Sequence, residues 1–181
     1  MLPGNDLMQA DADMACCQTT FKGTPTYVRI PQYRWKGTKL EGMKDPVCRM
    51  TLALYGHPES GYYWEEHCDL KLQSEGFEPV EEWPGCYWHP KYSAMVIVYV
   101  DDFKVAAPKQ HMAKIWDLVR EPGKQPGIRI DDPTAPAMFL GCRHRLTEVN
   151  CKDAPGGKIR LMEYDMQNQL QSAIDLSLIH I

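Results

Sequence analysis

The stretch "MVIVYVDDFKVAA", residues 95–107, decides the fold. Its first half is a run of apolar and β-branched residues, which predicts a central strand over 94–100. Residues 103–107 predict a returning strand, so Asp101 and Asp102 are expected at the tip of a tight hairpin. Two adjacent carboxylates repel each other, and burial disfavours both charged forms. The hairpin therefore needs a group that neutralises its tip.

A divalent cation is the most economical compensation for these two acids. An ordinary hairpin turn favours Asn-Gly or Asp-Gly, whereas the second position here is another acid. Mg²⁺ binds through one or two carboxylates plus substrate phosphates. The segment "QADADMACC", residues 9–17, supplies Asp11 and Asp13 as further acids. We therefore expect a phosphate-processing metal site built from distant parts of the chain.

The elements around the hairpin predict an α+β fold. A helix is expected over 60–76, with Ser60 as its N-cap and Gly76 as its end. A second amphipathic helix is expected over 109–120. Residues 1–10 show no clear element, and further strands are expected at 86–90, 127–132 and 137–146. This order favours an antiparallel sheet with helices on one face, of the split βαβ type.

Composition limits the class of protein. The chain has 181 residues, enough for one domain with a real core, and 44% of them are apolar. Its seven cysteines are an odd number and no secretion signal precedes them, so we expect reduced thiols and an intracellular protein. No apolar run is long enough to span a bilayer. The net charge of −4 argues against nucleic-acid binding, an objection that any polymer-binding hypothesis must meet.

Four blocks in fixed order resemble the reverse transcriptases of copia-type LTR retrotransposons. The segment "LALYGHPESGYYWEEHCDLKLQSEGFEPVEEWPGCYW" (52–88) resembles the family's S-L-Y-G-L-K-Q-S-x-R-x-W block with its following helix, G-F and C-L-F strand. "VIVYVDDFKVAA" (96–107) resembles the Y-V-D-D hairpin, and "AMFLGCRHRL" (137–146) the F-L-G-I-E-I strand. "DADMAC" (11–16) resembles the first catalytic block, Asp-x-x-x-Ala followed by an aromatic residue. The likeness covers about residues 9–165.

The resemblance implies a polymerase palm and RNA-directed DNA polymerase activity. Asp11 and Asp101 would hold the two catalytic metals, Mg²⁺ or Mn²⁺, and Asp102 would assist. A register that starts at Asp13 stays open, although Asp11 fits the alanine of the block better. The partners would be an RNA or DNA template-primer and deoxynucleoside triphosphates.

The family also implies substrate-binding roles. Tyr99 would lie near the primer end or the incoming nucleotide. Ser60 and Gly61 would begin the helix that packs under the nascent base pair. Cys16 stands where the family has the ring that lies against the sugar, and the segment Phe139-Leu140-Gly141 would belong to the hairpin that grips the primer.

The family resemblance also predicts how the chain is divided into regions. We expect a ragged N-terminus at 1–8, a palm fragment at 9–165 and a divergent tail at 166–181, of which 175–181 looks foreign. The first block lies close to the chain start, so the upstream fingers strands, with their basic residues, are expected to be missing. No thumb or RNase H region is expected after the palm fragment. The absence of these basic regions would explain the net charge of −4. The location would be cytoplasmic, in a virus-like particle, or nuclear. The alternative to a functional polymerase is a catalytically inactive retrotransposon remnant without an enzymatic role.

Three weaker patterns have ordinary explanations. A zinc site could draw on Cys86-x-x-His89, Cys142-x-His144 and the pair at 16–17, but the spacing suits no common module. Residues 62–64, "YYW", could stack on bases, although core packing is favoured for Trp64. Three lysines could contact template phosphates but are better explained as a solvated loop: Lys36, Lys39 and Lys44.

Overall fold

The computed structural model describes residues 4–123, 125–154 and 156–179. Ten strands and three α-helices lie within these ranges. The strands are β1 (Asn5–Asp11), β2 (Tyr27–Arg29), β3 (Val47–Arg49), β4 (Glu78–Pro79), β5 (Cys86–His89), β6 (Ala94–Tyr99), β7 (Asp102–Pro108), β8 (Met138–Phe139), β9 (Cys142–Asn150) and β10 (Lys158–Asp165). The α-helices are α1 (Ser60–Ser74), α2 (Met112–Arg120) and α3 (Gln167–Ile179). Among these residues no helix is long and apolar enough to cross a membrane.

The central element is an antiparallel sheet of five strands in the order β1-β7-β6-β5-β4. Side chains alternate between the faces of a strand, so Val96 and Val105, which are paired in register, share one face. Both are fully buried and belong to one cluster with Leu72 of α1 and Ile115 of α2. The expected α+β fold, with helices covering one face of an antiparallel sheet, is confirmed.

Two smaller antiparallel sheets accompany the central one. β2 pairs with β3, and β8, β9 and β10 form a three-stranded sheet. The expected strand at 137–146 was partly wrong, because the chain reverses at Leu140 and Gly141, with φ of 50° and 73°. Phe139 then pairs with Cys142 across this two-residue turn. Two consecutive left-handed residues suit the tight turns that antiparallel strands favour.

The end of α1 follows the sequence, whereas its beginning differs. Gly76 has φ of 92°, its N–H donates to the Gln73 carbonyl at 3.0 Å, and the Phe77 N–H donates to the Leu72 carbonyl at 3.1 Å. This is the glycine-dependent ending that was predicted. Ser60, expected as the N-cap, is instead the first helical residue, and Glu59 occupies the cap position without a side-chain hydrogen bond.

Two segments at the edge of the central sheet differ from expectation. Residues 5–11, for which no element was expected, form β1 because their backbone pairs with β7 along its whole length. Residues 127–132, expected as a strand, make isolated contacts to β1 instead: the Asp131 N–H donates to the Asp11 carbonyl at 2.9 Å. Prolines at 126, 133 and 136 bound this segment, and proline cannot donate to a strand ladder. Residues 167–179 form α3, and residues 167–177 of this helix are exposed.

The tip of the central hairpin is shifted by one residue from the expected position. Tyr99 pairs with Asp102, so the two tip residues are Val100 and Asp101 rather than the two acids. Val100 has φ of 56°, which is an outlier for a β-branched residue. The indole N–H of Trp64, a side chain 1% exposed in α1, donates to the Val100 carbonyl. A buried helix residue therefore holds the turn in its strained shape.

Trp64→Phe is expected to destabilise the fold more than Trp116→Phe does. Both tryptophans are buried and lose the same atoms, but the Trp116 indole N–H has no hydrogen-bond partner among the described residues. Only the first substitution removes a hydrogen bond, the one to the Val100 carbonyl, which contributes about 0.5–1.5 kcal/mol. Urea unfolding of the two variants measures the difference, and equal losses would show that the Trp64 bond does not support the turn.

Candidate active site

Backbone pairing brings the three predicted carboxylates together. Asp11, the last residue of β1, lies opposite Asp102, the first residue of β7. Asp101 precedes it in the turn, and its carbonyl accepts the Ala12 N–H at 2.8 Å. The acids therefore meet where the end of β1 touches the β6–β7 turn, although 90 residues separate them in sequence.

The same pairing distinguishes Asp11 from Asp13. Asp13 lies beyond the end of β1, and its N–H donates to the Arg129 carbonyl at 3.1 Å instead of pairing with β7. Residue 14 then turns the chain with φ of 48° into a 3-10 helix at Ala15–Gln18. The structure thus places Asp11, and not Asp13, opposite the acids of the hairpin.

The site is short of positive charge. Burial raises the pKa of Asp11 above its usual range, and the negative charges of Asp101, Asp102 and Asp131 raise it further. Burial and Asp101 likewise raise the pKa of Asp102, whereas Lys104 lowers it. At neutral pH these carboxylates therefore destabilise one another, and a bound cation would relieve that repulsion.

Lys104 is a residue of this site that the sequence analysis missed. It lies two positions after Asp102 on the same strand face, and its side chain is 6% exposed. Its Nζ lies 4.3 Å from the centre of the Phe139 ring and is hydrogen-bonded to Nδ1 of His144. Burial lowers the pKa of Lys104, while Cys142 and Asp102 raise it. The sequence feature that could have identified it is a single lysine in an otherwise apolar strand, two residues after Asp102 and therefore on the same strand face.

The segment Phe139-Leu140-Gly141 approaches the site through this lysine. Phe139 is buried against Lys104, whereas Leu140 is half-exposed at the β8–β9 turn. His144 of β9 completes the contact, with its ring packed edge-on against Tyr164 of β10. The three-stranded sheet is thus joined to the strand that carries Asp102.

Ser60 and Gly61 have different surroundings. Ser60 is 1% exposed, and its Oγ accepts the Leu54 N–H at 3.0 Å, so its side chain ties the start of α1 to the preceding loop. Gly61 is exposed, and a Cβ there would meet no atom within 4 Å. Within "YYW", Trp64 is buried, as the core interpretation predicted; Tyr63 is also buried, and Tyr62 is exposed.

Tyr99 and Cys16 lie next to the carboxylates in opposite settings. Tyr99 is 57% exposed and is paired in register with Asp102. Cys16, in the 3-10 helix, is 5% exposed. Burial raises the pKa of its thiol, and Cys17 and Asp101 raise it further. Tyr99 is therefore open to a ligand, whereas Cys16 is covered.

A magnesium-like ion that took most of its ligands from substrate and water would find carboxylate oxygens at this site, but no complete set of protein ligands. Within the described residues, no three His, Cys, Asp or Glu side chains stand close enough to form a ready-made metal site. This finding also gives no support to the zinc alternative in that part of the chain, where all seven cysteines are free. Mg²⁺ needs only one or two carboxylates and takes its other ligands from water and phosphates. Asp11 and the 101–102 pair supply such oxygens.

Asp11→Asn is expected to raise the unfolding free energy of the metal-free chain at pH 7 by on the order of 0.5 kcal/mol, a small value because water screens partly exposed charges. The folded-state pKa of Asp11 lies above the ordinary 3.8, so the folded state binds the proton more tightly. Stability is therefore lost as pH rises through the raised pKa, and the asparagine removes this loss.

Asp13→Asn is the matched control for that substitution, since it removes the same charge two residues away. Urea unfolding between pH 4 and 7 measures both variants. If Asp11→Asn were no more stable than Asp13→Asn at pH 7, the repulsion assigned to Asp11 would be contradicted.

The comparisons with known proteins give one informative relative. No family model and no solved structure matches the chain. The chain is similar to the Saccharomyces cerevisiae protein YCL074W, whose name assigns it to the transposon Ty5-1, with 32% identity over 113 residues. The match covers 61% of this chain and 34% of the yeast protein, so the chain spans about a third of that relative.

Proposed function

We propose that this chain is the palm of a copia-type retrotransposon reverse transcriptase, an RNA-directed DNA polymerase. The observation that carries the proposal is the register that sets Asp11 opposite Asp102, with Asp101 in the adjoining turn. Acids from two strands that meet at a strained hairpin tip suit phosphoryl transfer, in which a protein mainly positions groups and balances charge.

The carboxylates have a defined role in this proposal. Asp11 and Asp101 would hold Mg²⁺ or Mn²⁺, with Asp102 assisting. A cation bound there would lower the pKa of the primer 3′-hydroxyl and balance the charge on the triphosphate. The raised pKa values of Asp11 and Asp102 support this assignment, because the acids lack enough counter-charge of their own.

The neighbouring residues position that site. Trp64 fixes the turn that carries Asp101, through the carbonyl of Val100. Lys104 provides a positive charge behind Asp102. Tyr99, exposed beside Asp102, would contact the primer end or the incoming nucleotide. The turn at 140–141 follows the buried Phe139 and is the proposed primer grip.

The similarity to a yeast protein named for the transposon Ty5-1 supports the same conclusion at a coarser level. It favours an origin in a retrotransposon. The specific polymerase activity, the template-primer partner and the deoxynucleoside triphosphates are inferred from the four motif blocks and the meeting of the acids. A catalytically inactive remnant would keep the fold without the reaction.

Primer extension on a homopolymer RNA template tests the proposal. The chain alone, and the chain extended by its native flanking sequence, are incubated with labelled primer, deoxynucleoside triphosphates and Mn²⁺ or Mg²⁺. We expect extension by the longer form at least, and a loss of about a hundredfold or more in its Asp101→Asn variant.

Asp45→Asn is the control, since Asp45 precedes β3 and forms an ion pair at 2.7 Å with the exposed Arg29 of β2. It should leave extension unchanged. A folded longer form that binds primer–template but never extends it would reject the polymerase and favour the remnant. Equal activity in the Asp101→Asn variant would reject the assigned site.

A further inference from the structure

A cavity of about 720 Å³ lies between α1 and the strands β5 and β6, beside the turn that carries Asp101. Three of the side chains that line it are more than nine-tenths buried: Trp64, Cys68 and Tyr87. None of the carboxylates assigned to the metal site lines it. Cavities of this volume accommodate small organic molecules, which bury most of their surface against apolar and aromatic side chains. The cavity is therefore a candidate ligand site separate from the carboxylates.

Backbone hydrogen bonds fix the wall of the cavity that the β4–β5 loop provides. The Trp83 N–H donates to the Val80 carbonyl at 3.1 Å, and the Trp83 carbonyl accepts the Cys86 N–H at 3.1 Å. The Gly85 carbonyl accepts the Val98 N–H at 2.8 Å, and a Cβ at Gly85 would collide with the Val98 carbonyl oxygen. The loop therefore lies directly against β6, so the cavity is formed without a ligand.

Aromatic rings dominate the accessible part of this cavity. Tyr62, Trp83 and Tyr99 line it, and each of them is more than half exposed. They come from α1, from the β4–β5 loop and from β6, so the fold brings them together from three parts of the chain. The electron-rich faces of such rings attract organic cations.

All the charged side chains that line the cavity are acidic: Glu65, Glu66 and Asp69 of α1. Glu66 pairs with Lys22, whereas Glu65 and Asp69 have no ion-pair partner among the described residues. Like charges four residues apart destabilise a helix. In the described part of the chain no three His, Cys, Asp or Glu side chains form a group that could hold a metal ion. A larger, organic cation is therefore the ligand that matches this charge.

We infer that the cavity binds a guanidinium group carried on an aromatic body. A planar guanidinium stacks on an aromatic ring and donates two parallel hydrogen bonds to a carboxylate, so it uses both features of the cavity. In this arrangement Asp69 and Glu65 accept the hydrogen bonds, and the Trp83 ring stacks on the cation. The aromatic body occupies the buried part beside Trp64. The inference does not depend on the proposed polymerase activity.

Calorimetric titration of the folded chain with Nα-benzoyl-arginine amide tests the inference. The matched ligand is Nα-benzoyl-citrulline amide, in which a neutral urea replaces the guanidinium. We expect the arginine compound to bind at least about tenfold more tightly than the citrulline compound, because only the cation gains from the carboxylates and the ring faces.

Variants of the cavity residues separate the two contributions. Asp69→Asn and Trp83→Leu should each weaken binding of the arginine compound by about tenfold, the first by removing charge and the second by removing a ring. Trp83→Phe, which keeps a ring, should retain most of the affinity. If Trp83→Leu does not fold, Tyr62→Leu replaces it with the same expected result.

Asp117→Asn and Trp88→Leu are the matched controls. Asp117 is an exposed acid of α2, and Trp88 follows Tyr87 in β5 and so faces the other side of the sheet; neither lines the cavity. Both should leave the dissociation constant unchanged, and urea unfolding checks that every variant is folded. Equal affinity for the arginine and citrulline compounds, or full affinity in Asp69→Asn, would overturn the inference. Failure of the parent chain to bind the arginine compound at millimolar concentration would also overturn it.

Discussion

The register of β1 on β7 is the constraint on which the site depends. Seven paired positions run from Asn5 opposite Pro108 to Asp11 opposite Asp102. Because side chains alternate between the faces of a strand, a slip of one residue would turn every side chain of β1 to the other face. The register packs Met8 and Ala10 of β1, both partly buried, against the core and at the same time brings Asp11 to the hairpin acids.

The fold holds this site with a strained backbone and with carboxylates that repel each other. Val100 has a backbone conformation that costs about 1–3 kcal/mol, and the carboxylates around it repel each other. The structure offsets these costs with the Trp64 hydrogen bond and with the charge of Lys104. Lys104 is itself buried, and the three-stranded sheet stabilises it through Phe139 and His144. Strain and repulsion of this kind are typical of functional sites, where binding of a ligand provides the compensation.

The sequence predicted the elements whose formation depends mainly on residues that are close together in the chain. The apolar run of β6, the helix that begins at Ser60 and the glycine at its end all appear in the expected places. β1 was missed because its pairing with β7 is set by residues almost a hundred positions away. Lys104 was missed for a similar reason, because its partner His144 lies 40 residues further along the chain. The tip of the hairpin was misplaced by one residue because the strain falls on a valine, a residue that turn preferences disfavour.

The most direct test of the central claim is a titration of the ¹⁵N-labelled chain with substoichiometric Mn²⁺, followed by amide signal broadening in two-dimensional NMR spectra. If the carboxylates form one cation site, the amides of Asp11 and Ala12 should broaden together with those of Asp101 and Asp102, since these residues adjoin across the β1–β7 pairing. Broadening should vanish from both segments in the Asp101→Asn variant. Broadening centred on other acids of the folded chain, or confined to one of the two segments, would contradict the convergent site.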